Sequence, residues 1–257
     1  MAGALVEALD PVMFARNRLD FECDPWQEKF LRSTAAEIAV NCCRQSGKST
    51  TAAIKALHVA VHRPRSTSLV ISPTQRQSGQ LLKKARHFLG MLTDQPDLTA
   101  DSATNMELAN GSVIVSLPGT DGGSIRGYTP DLVIEDESAF VSDAVHDAIT
   151  PMLIVSRGQL ILLSTPQGRA GHFFEACCSD DYGFERFVVT ANDCPRIDRL
   201  RLERERRRKP SRYSREYMCA FLESDTQFFT YDEIEALFDT ELRPLWPELN
   251  AEMDDAL

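Results

Sequence analysis

The sequence predicts an α/β fold, with a central and mainly parallel sheet flanked by helices and one small antiparallel hairpin. Three observations carry that expectation. Short β-branched runs alternate with longer helical patterns. Strands separated by helical crossovers favour parallel pairing under cover on both faces. One Asn-Gly pair sits between two apolar runs.

In chain order, the strand candidates are 37–41, 68–72, 132–135, 160–164 and 187–190, each a short apolar run. Helical patterns fill 49–61, 75–92 and 142–152 between them. Asn110-Gly111, between Met106-Glu107-Leu108 and Val113-Ile114-Val115, marks the hairpin. Past Leu222 the composition turns acidic, and Pro244 and Pro247 interrupt any regular element. The expected organisation is one domain over 1–222, with 1–20 as an N-terminal extension, followed by an acidic linker or tail over 223–257.

A length of 257 residues is enough to bury one sizeable core, and 43% hydrophobic with 26% charged residues excludes wholesale disorder. Apolar runs such as Leu160-Ile161-Leu162-Leu163 stop far short of the roughly 18 residues of a membrane span. Glu7 and Asp10 stand where a signal peptide would carry basic residues. Seven cysteines without a CxxC pair read as reduced thiols, and the adjacent pairs Cys42-Cys43 and Cys177-Cys178 read as small buried residues. A soluble intracellular protein is expected, with no membrane partner.

The net charge of -10 is a property of the tail, since 223–257 holds 11 acids against Arg243 alone. Between Arg196 and Arg215, 10 basic residues face only Asp198, Glu203 and Glu205. That stretch is either a solvated helix or a surface for nucleic acid, with Arg204, Arg207 and Arg208 as the candidate contacts.

The chemistry concentrates in four short segments. Cys42-Cys43-Arg44-Gln45-Ser46-Gly47-Lys48-Ser49-Thr50 follows a strand and opens a helix, the context of a phosphate-binding loop. Backbone N–H groups at such a helix start form a positive concavity for phosphate oxygens. Lys48 would reach the β- and γ-phosphates of ATP, and Ser49 would hold Mg²⁺. Cys42 replaces the first glycine of the GxxxxGK[ST] pattern. Leu132-Val133-Ile134-Glu135-Asp136-Glu137 ends an apolar strand in carboxylates, so Asp136 is placed to hold Mg²⁺ and Glu137 to polarise water. Ser164-Thr165-Pro166 offers small hydroxyls at another strand end, suited to sensing the γ-phosphate. Gln27, in Asp24-Pro25-Trp26-Gln27, offers a donor and an acceptor to an adenine edge, with Trp26 beside it.

Taken in order, Trp26-Gln27, Arg44-Gln45-Ser46-Gly47-Lys48-Ser49, Asp136-Glu137 and Ser164-Thr165-Pro166 resemble the ATPase domain of the large terminase subunit of tailed bacteriophages and prophages. Ser72-Pro73-Thr74, Glu216-Tyr217 and Phe221 extend the resemblance to roughly residues 20–230. It implies a P-loop NTPase of the additional-strand, RecA-like class that couples Mg-ATP hydrolysis to translocation of double-stranded DNA into a procapsid. It implies a portal protein and a small terminase subunit as partners. It also implies a homo-oligomeric ring, expected as a pentamer, from subunits monomeric in isolation. The implied location is the host cytoplasm, at the portal vertex during packaging. By the same resemblance Gln27 is the adenine contact, Ser164-Thr165-Pro166 the coupling motif, Arg44 a loop arginine near the γ-phosphate, and Arg126 in Ser124-Ile125-Arg126-Gly127 an arginine acting in trans.

The sequence departs from that family in two places. The family usually carries a C-terminal nuclease, whereas the 35 residues after Leu222, Asp254 and Asp255 among them, are too few for one. No nuclease activity is expected. Glu135 stands where the family mostly has an apolar residue. Two alternatives remain: a superfamily 2 helicase-like ATPase fragment, and a non-catalytic nucleotide-gated assembly module. His58 and His62, four apart on one helix, lack a third ligand and read as a helix face.

Overall fold

A computed structural model describes residues 2–120 and 125–222 of the chain. The expected acidic tail, with Asp254 and Asp255, and Ser124 lie outside the described residues. One eight-stranded sheet, in the order β3-β4-β5-β2-β6-β7-β1-β8, organises the domain. Its strands are β1 (Glu37–Cys42), β2 (Thr67–Ser72), β3 (Leu98–Asp101), β4 (Asn105–Leu108), β5 (Val113–Pro118), β6 (Leu132–Asp136), β7 (Gln159–Ser164) and β8 (Glu185–Val189).

From β5 to β8 all pairings are parallel; β3–β4 and β4–β5 are antiparallel. All five strands read from the sequence are present within two residues of their expected ends. The Asn110-Gly111 hairpin joins β4 to β5, with Gly111 at φ +80° closing the turn on Leu108. β3 adds a strand that the sequence pattern does not predict: it is four residues long, mostly exposed, and carries only one large apolar side chain.

The flanking helices are α1 (Ala2–Leu9), α2 (Pro11–Leu19), α3 (Pro25–Arg32), α4 (Lys48–His62), α5 (Gln75–Leu89), α6 (Asp143–Ser156), α7 (His172–Cys178), α8 (Arg199–Arg208) and α9 (Pro210–Met218). Alternation along the strands splits the core between two faces. Ile134, Val40 and Leu163 pack with Ala53, Ile54 and Leu57 of α4, while Val133, Ala39 and Leu162 pack with Val145 and Ile149 of α6 and Phe173 of α7. The extension over 1–20 is helical and joins this core: Phe14 is buried and meets the His58 and His62 rings edge-on at 5.4 and 5.1 Å. His58 and His62 therefore form a packed helix face, as expected.

Three strand ends converge on one edge. β7 lies between β1 and β6, the extra strand that separates the loop strand from the carboxylate strand. Register pairs Asp136 with Leu163 and Asn41 with Ser164, so the carboxyl ends of β1, β6 and β7 come level. In open α/β sheets that edge is where ligands bind. Lys55 fixes the neighbouring α3 to α4: its buried Nζ donates to Leu31 O at 3.1 Å and Ser33 O at 2.9 Å.

Candidate active site

β1 delivers the chain into a loop, 43–47, that turns directly into α4. Gly47 caps the helix at φ +92°, a conformation that a side chain rarely adopts. A Cβ there would also lie 2.9 Å from Gln27 Nε2. Gln45 shares the left-handed conformation at φ 64°. The loop thus leads straight into the N-terminus of α4, and the backbone N–H groups of a helix's first turn suit an anion.

Lys48, Ser49, Asp136, Glu137 and Ser164 meet in front of that loop. Ser49 Oγ donates to Asp136 Oδ2 at 2.7 Å, and Lys48 Nζ lies 3.0 Å from Glu137 Oε1. Ser164 Oγ donates to Glu137 Oε2 at 3.4 Å. Asp136 Oδ1 is buried without a hydrogen-bond partner. An orphaned buried carboxylate oxygen is costly unless something completes its shell. With Ser49 Oγ beside it, this is a hard oxygen pair that fits Mg²⁺.

Electrostatics follow from burial and neighbours. Burial opposes charge on Lys48, but the facing Glu137 and Asp136 carboxylates raise its pKa above the free value, so it stays cationic. Burial pushes the Asp136 carboxyl up, while Lys48 and the Ser49 hydrogen bond pull it down. A divalent cation would strengthen the second effect.

Glu137 differs from Asp136 in backbone as well as role. It sits at φ 61°, ψ 43°, immediately before a 3₁₀ turn over Ser138–Phe140. A non-glycine residue in this region costs about 1 kcal/mol or more, and such strain concentrates at functional sites. The twist aims its side chain at Lys48 and Ser164, away from the Asp136–Ser49 pair.

The remaining sequence candidates fall in distinct places. Gln27 is fully buried; its Oε1 accepts from Asp24 N at 2.8 Å, and its Nε2 is unpartnered beside Gly47. Trp26 is buried at the start of α3, with Nε1 unpartnered. Ser46 and Thr165 are buried, whereas Thr50 is half-buried. Arg44 is turned to α9, with Nε 3.6 Å from Glu216 Oε2 and its backbone N–H donating to Glu216 O at 2.9 Å. Arg126 is exposed in a turn before β6, beside Gly127 at φ +100° with open space around it. Arg204, Arg207 and Arg208 are exposed on α8, where Arg207 pairs with Glu203 at 3.3 Å. Cys42 and Cys43 are buried as expected, but Cys178 is exposed at the end of α7.

Sequence reasoning missed two sets of residues around this cluster. Arg196 grips Asp24 with two bonds of 2.6 and 3.0 Å and reaches over the loop to Gly47. Behind the carboxylate pair, Glu135 accepts bonds from Ser138, His146 and His172. The excess of arginine and the unexpected Glu135 are visible in the sequence, but their partners come from distant parts of the chain.

The chain resembles known proteins in sequence and in fold. The family described as "Terminase large subunit, T4likevirus-type, N-terminal" matches residues 41–236. The large terminase subunit of Thermus phage G20c is 30% identical over 157 residues, which cover 53% of this chain and 32% of that protein. The chain therefore matches about a third of that relative's length. Among solved structures, the large terminase ATPase domain of Thermus phage P74-26 superposes with a TM-score of 0.69 at 23% identity, covering 81% of this chain and 97% of that one. The large terminase of a second thermophilic bacteriophage, solved in complex with ADP, gives 0.64 at 14% identity, covering 78% and 54%. Both likenesses establish the fold, that of RecA-like P-loop domains.

Proposed function

The chain belongs to the terminase large-subunit family through its N-terminal domain, and from that premise we propose that it is the ATP-hydrolysing motor domain of a viral DNA-packaging terminase. In this reading residues 1–222 form the motor and 223–257 an acidic linker or tail. The observation that supports it most is the convergence of Lys48, Ser49, Asp136, Glu137 and Ser164 at one sheet edge.

Each residue then has a task. Loop N–H groups around Gly47 bind phosphate oxygens, and Lys48 neutralises the β- and γ-phosphates. Ser49 and Asp136 would hold Mg²⁺, which when bound neutralises charge developing on the phosphates. Glu137 orients a water opposite the γ-phosphate and takes its proton. Ser164 touches Glu137, so the β7 end, Thr165 included, registers whether that carboxylate is engaged. Gln27, its Nε2 free beside the loop, and Trp26 would contact adenine. Arg44 or Arg126 would supply the cation for the transition state, the second from a neighbouring subunit.

Hydrolysis is coupled, in this proposal, to sequence-independent translocation of double-stranded DNA. α8 would face the phosphates, in a ring assembled with portal protein and small subunit in the host cytoplasm. No described helix is long and apolar enough to cross a membrane. The test is the ATPase rate against protein concentration, with and without double-stranded DNA. Rates that rise with both support a ring motor; tight Mg-ATP binding without turnover favours a nucleotide-gated assembly module.

A further inference from the structure

A second polar cluster lies on the opposite face of β6. Glu135 is fully buried, and three donors converge on its carboxylate. Ser138 Oγ donates to Oε2 at 2.9 Å, His172 Nε2 to the same oxygen at 3.0 Å, and His146 Nδ1 to Oε1 at 3.1 Å. His172 Nδ1 lies 2.8 Å from Asp143 Oδ1, and that oxygen also accepts the His172 backbone N–H at 3.0 Å. With carboxylate oxygens facing both ring nitrogens, His172 donates from both.

One carboxylate and two imidazoles also form a metal-binding set. Here, however, the His146 and His172 rings are stacked, 4.3 Å between centroids and 14° between planes. An imidazole lone pair lies in its ring plane, so two stacked rings do not aim at one ion. The arrangement is a hydrogen-bonded clamp.

We propose that His172 is a positioning residue for Glu137, bridging Glu135 to Asp143 and so holding the end of β6 in the conformation that aims Glu137 at the phosphate loop. Glu135 and Ser138 bracket Asp136 and Glu137 in sequence, and their side chains are bonded to each other. The clamp therefore spans the one residue of this strand end with a left-handed backbone. His172 opens α7, downstream of Ser164-Thr165-Pro166, and Asp143 opens α6. The same bonds thus tie the exits of β6 and β7 together from behind. A buried carboxylate needs such partners; without them it would withdraw the strand end towards water.

This rests on reading Glu137 as the hydrolytic carboxylate. The experiment uses the full chain with His172→Ala and His172→Gln. It reads kcat and KM for ATP, affinity for a fluorescent non-hydrolysable ATP analogue, and hydrogen exchange over 132–141. In His172→Ala, kcat is expected to fall about ten- to a hundredfold while analogue affinity holds within about twofold. Exchange should rise over 132–141 but not over 43–50. Added imidazole should restore part of kcat, because truncating His172 would enlarge the small cleft that it lines with Ser138, Asp143 and Gly171. His172→Gln, which keeps one donor, should lie between. Unchanged kcat and exchange would overturn the proposal, as would a parallel loss of kcat, affinity and melting temperature. A wild-type chain that binds the analogue but never turns over ATP would overturn the motor reading instead. The exchange comparison alone would then decide the clamp.

Discussion

Lys48 Nζ and Glu137 Oε1 lie 3.0 Å apart, so the cation suited to phosphate and the carboxylate suited to water hold one another. In the proposed mechanism a γ-phosphate entering the loop competes for Lys48 and so frees Glu137, making binding and activation of the general base one event.

Glu137→Gln tests this pairing. Hydrolysis is expected to fall about 10²- to 10⁴-fold. Affinity for a non-hydrolysable ATP analogue should rise, because the competing charge on Lys48 is gone while Ser49 and Asp136 remain. Normal hydrolysis in this variant, with Asp136→Asn inactive, would reverse the two carboxylate roles.

The clamp behind β6 has a pH signature. Burial would lower the His172 pKa, but hydrogen bonds and charge from Glu135 and Asp143 raise it above the ordinary 6.5. Burial likewise opposes Glu135, yet hydrogen bonds and charge from His146 and His172 hold its pKa at about 2, so it stays ionised. Below pH 6.5 His172 is protonated in both folded and unfolded chains, and its contribution to stability is complete. That contribution is lost as pH rises through the higher folded value. The difference in urea midpoint between wild type and His172→Gln should be largest near about pH 6 and shrink towards about pH 9. A difference constant across that range would contradict this account.

The basic helix α8 is expected to meet DNA phosphates. Replacing Arg204, Arg207 and Arg208 together by Ala should weaken binding equally across duplex sequences. The salt slope should flatten by about 0.9 for each phosphate no longer neutralised. The Arg207–Glu203 pair is exposed, so removing it should leave the melting temperature nearly unchanged. Unchanged DNA binding would make α8 a solvated surface.

Arg126 projects from an open turn, whereas Arg44 is drawn to Glu216 on α9. If Arg126 acts in trans, Arg126→Ala and Glu137→Gln subunits should each be inactive alone and partly active when mixed. Each then supplies what the other lacks at one interface. Lack of rescue in a mixture shown to co-assemble would leave Arg44 as the better candidate.

Local signals made most of this domain legible. The loop, the carboxylate pair and Ser164-Thr165 could be read because each follows an apolar strand, and strand ends in a parallel sheet share one edge. The clamp could not: His146 and His172 lie 11 and 37 positions from Glu135, and only tertiary packing of α6 and α7 brings them together. Arg196 and Asp24, 172 positions apart, were hidden for the same reason. The single basic run of the sequence is two helices, because Pro210 lacks an N–H and forces Lys209 out of helical geometry. The short edge strand β3 carries too little apolar alternation to announce itself.

The most direct test of the central claim is ATP turnover by the full chain against its Lys48→Ala variant, each purified through a second column. Lys48 opens α4 directly after the loop, 8% exposed and facing the Glu137 carboxylate. Wild type should release measurable phosphate and Lys48→Ala none above background, with the same melting temperature to within a few degrees. Equal turnover by the two proteins would contradict the assignment of this loop as the catalytic phosphate site.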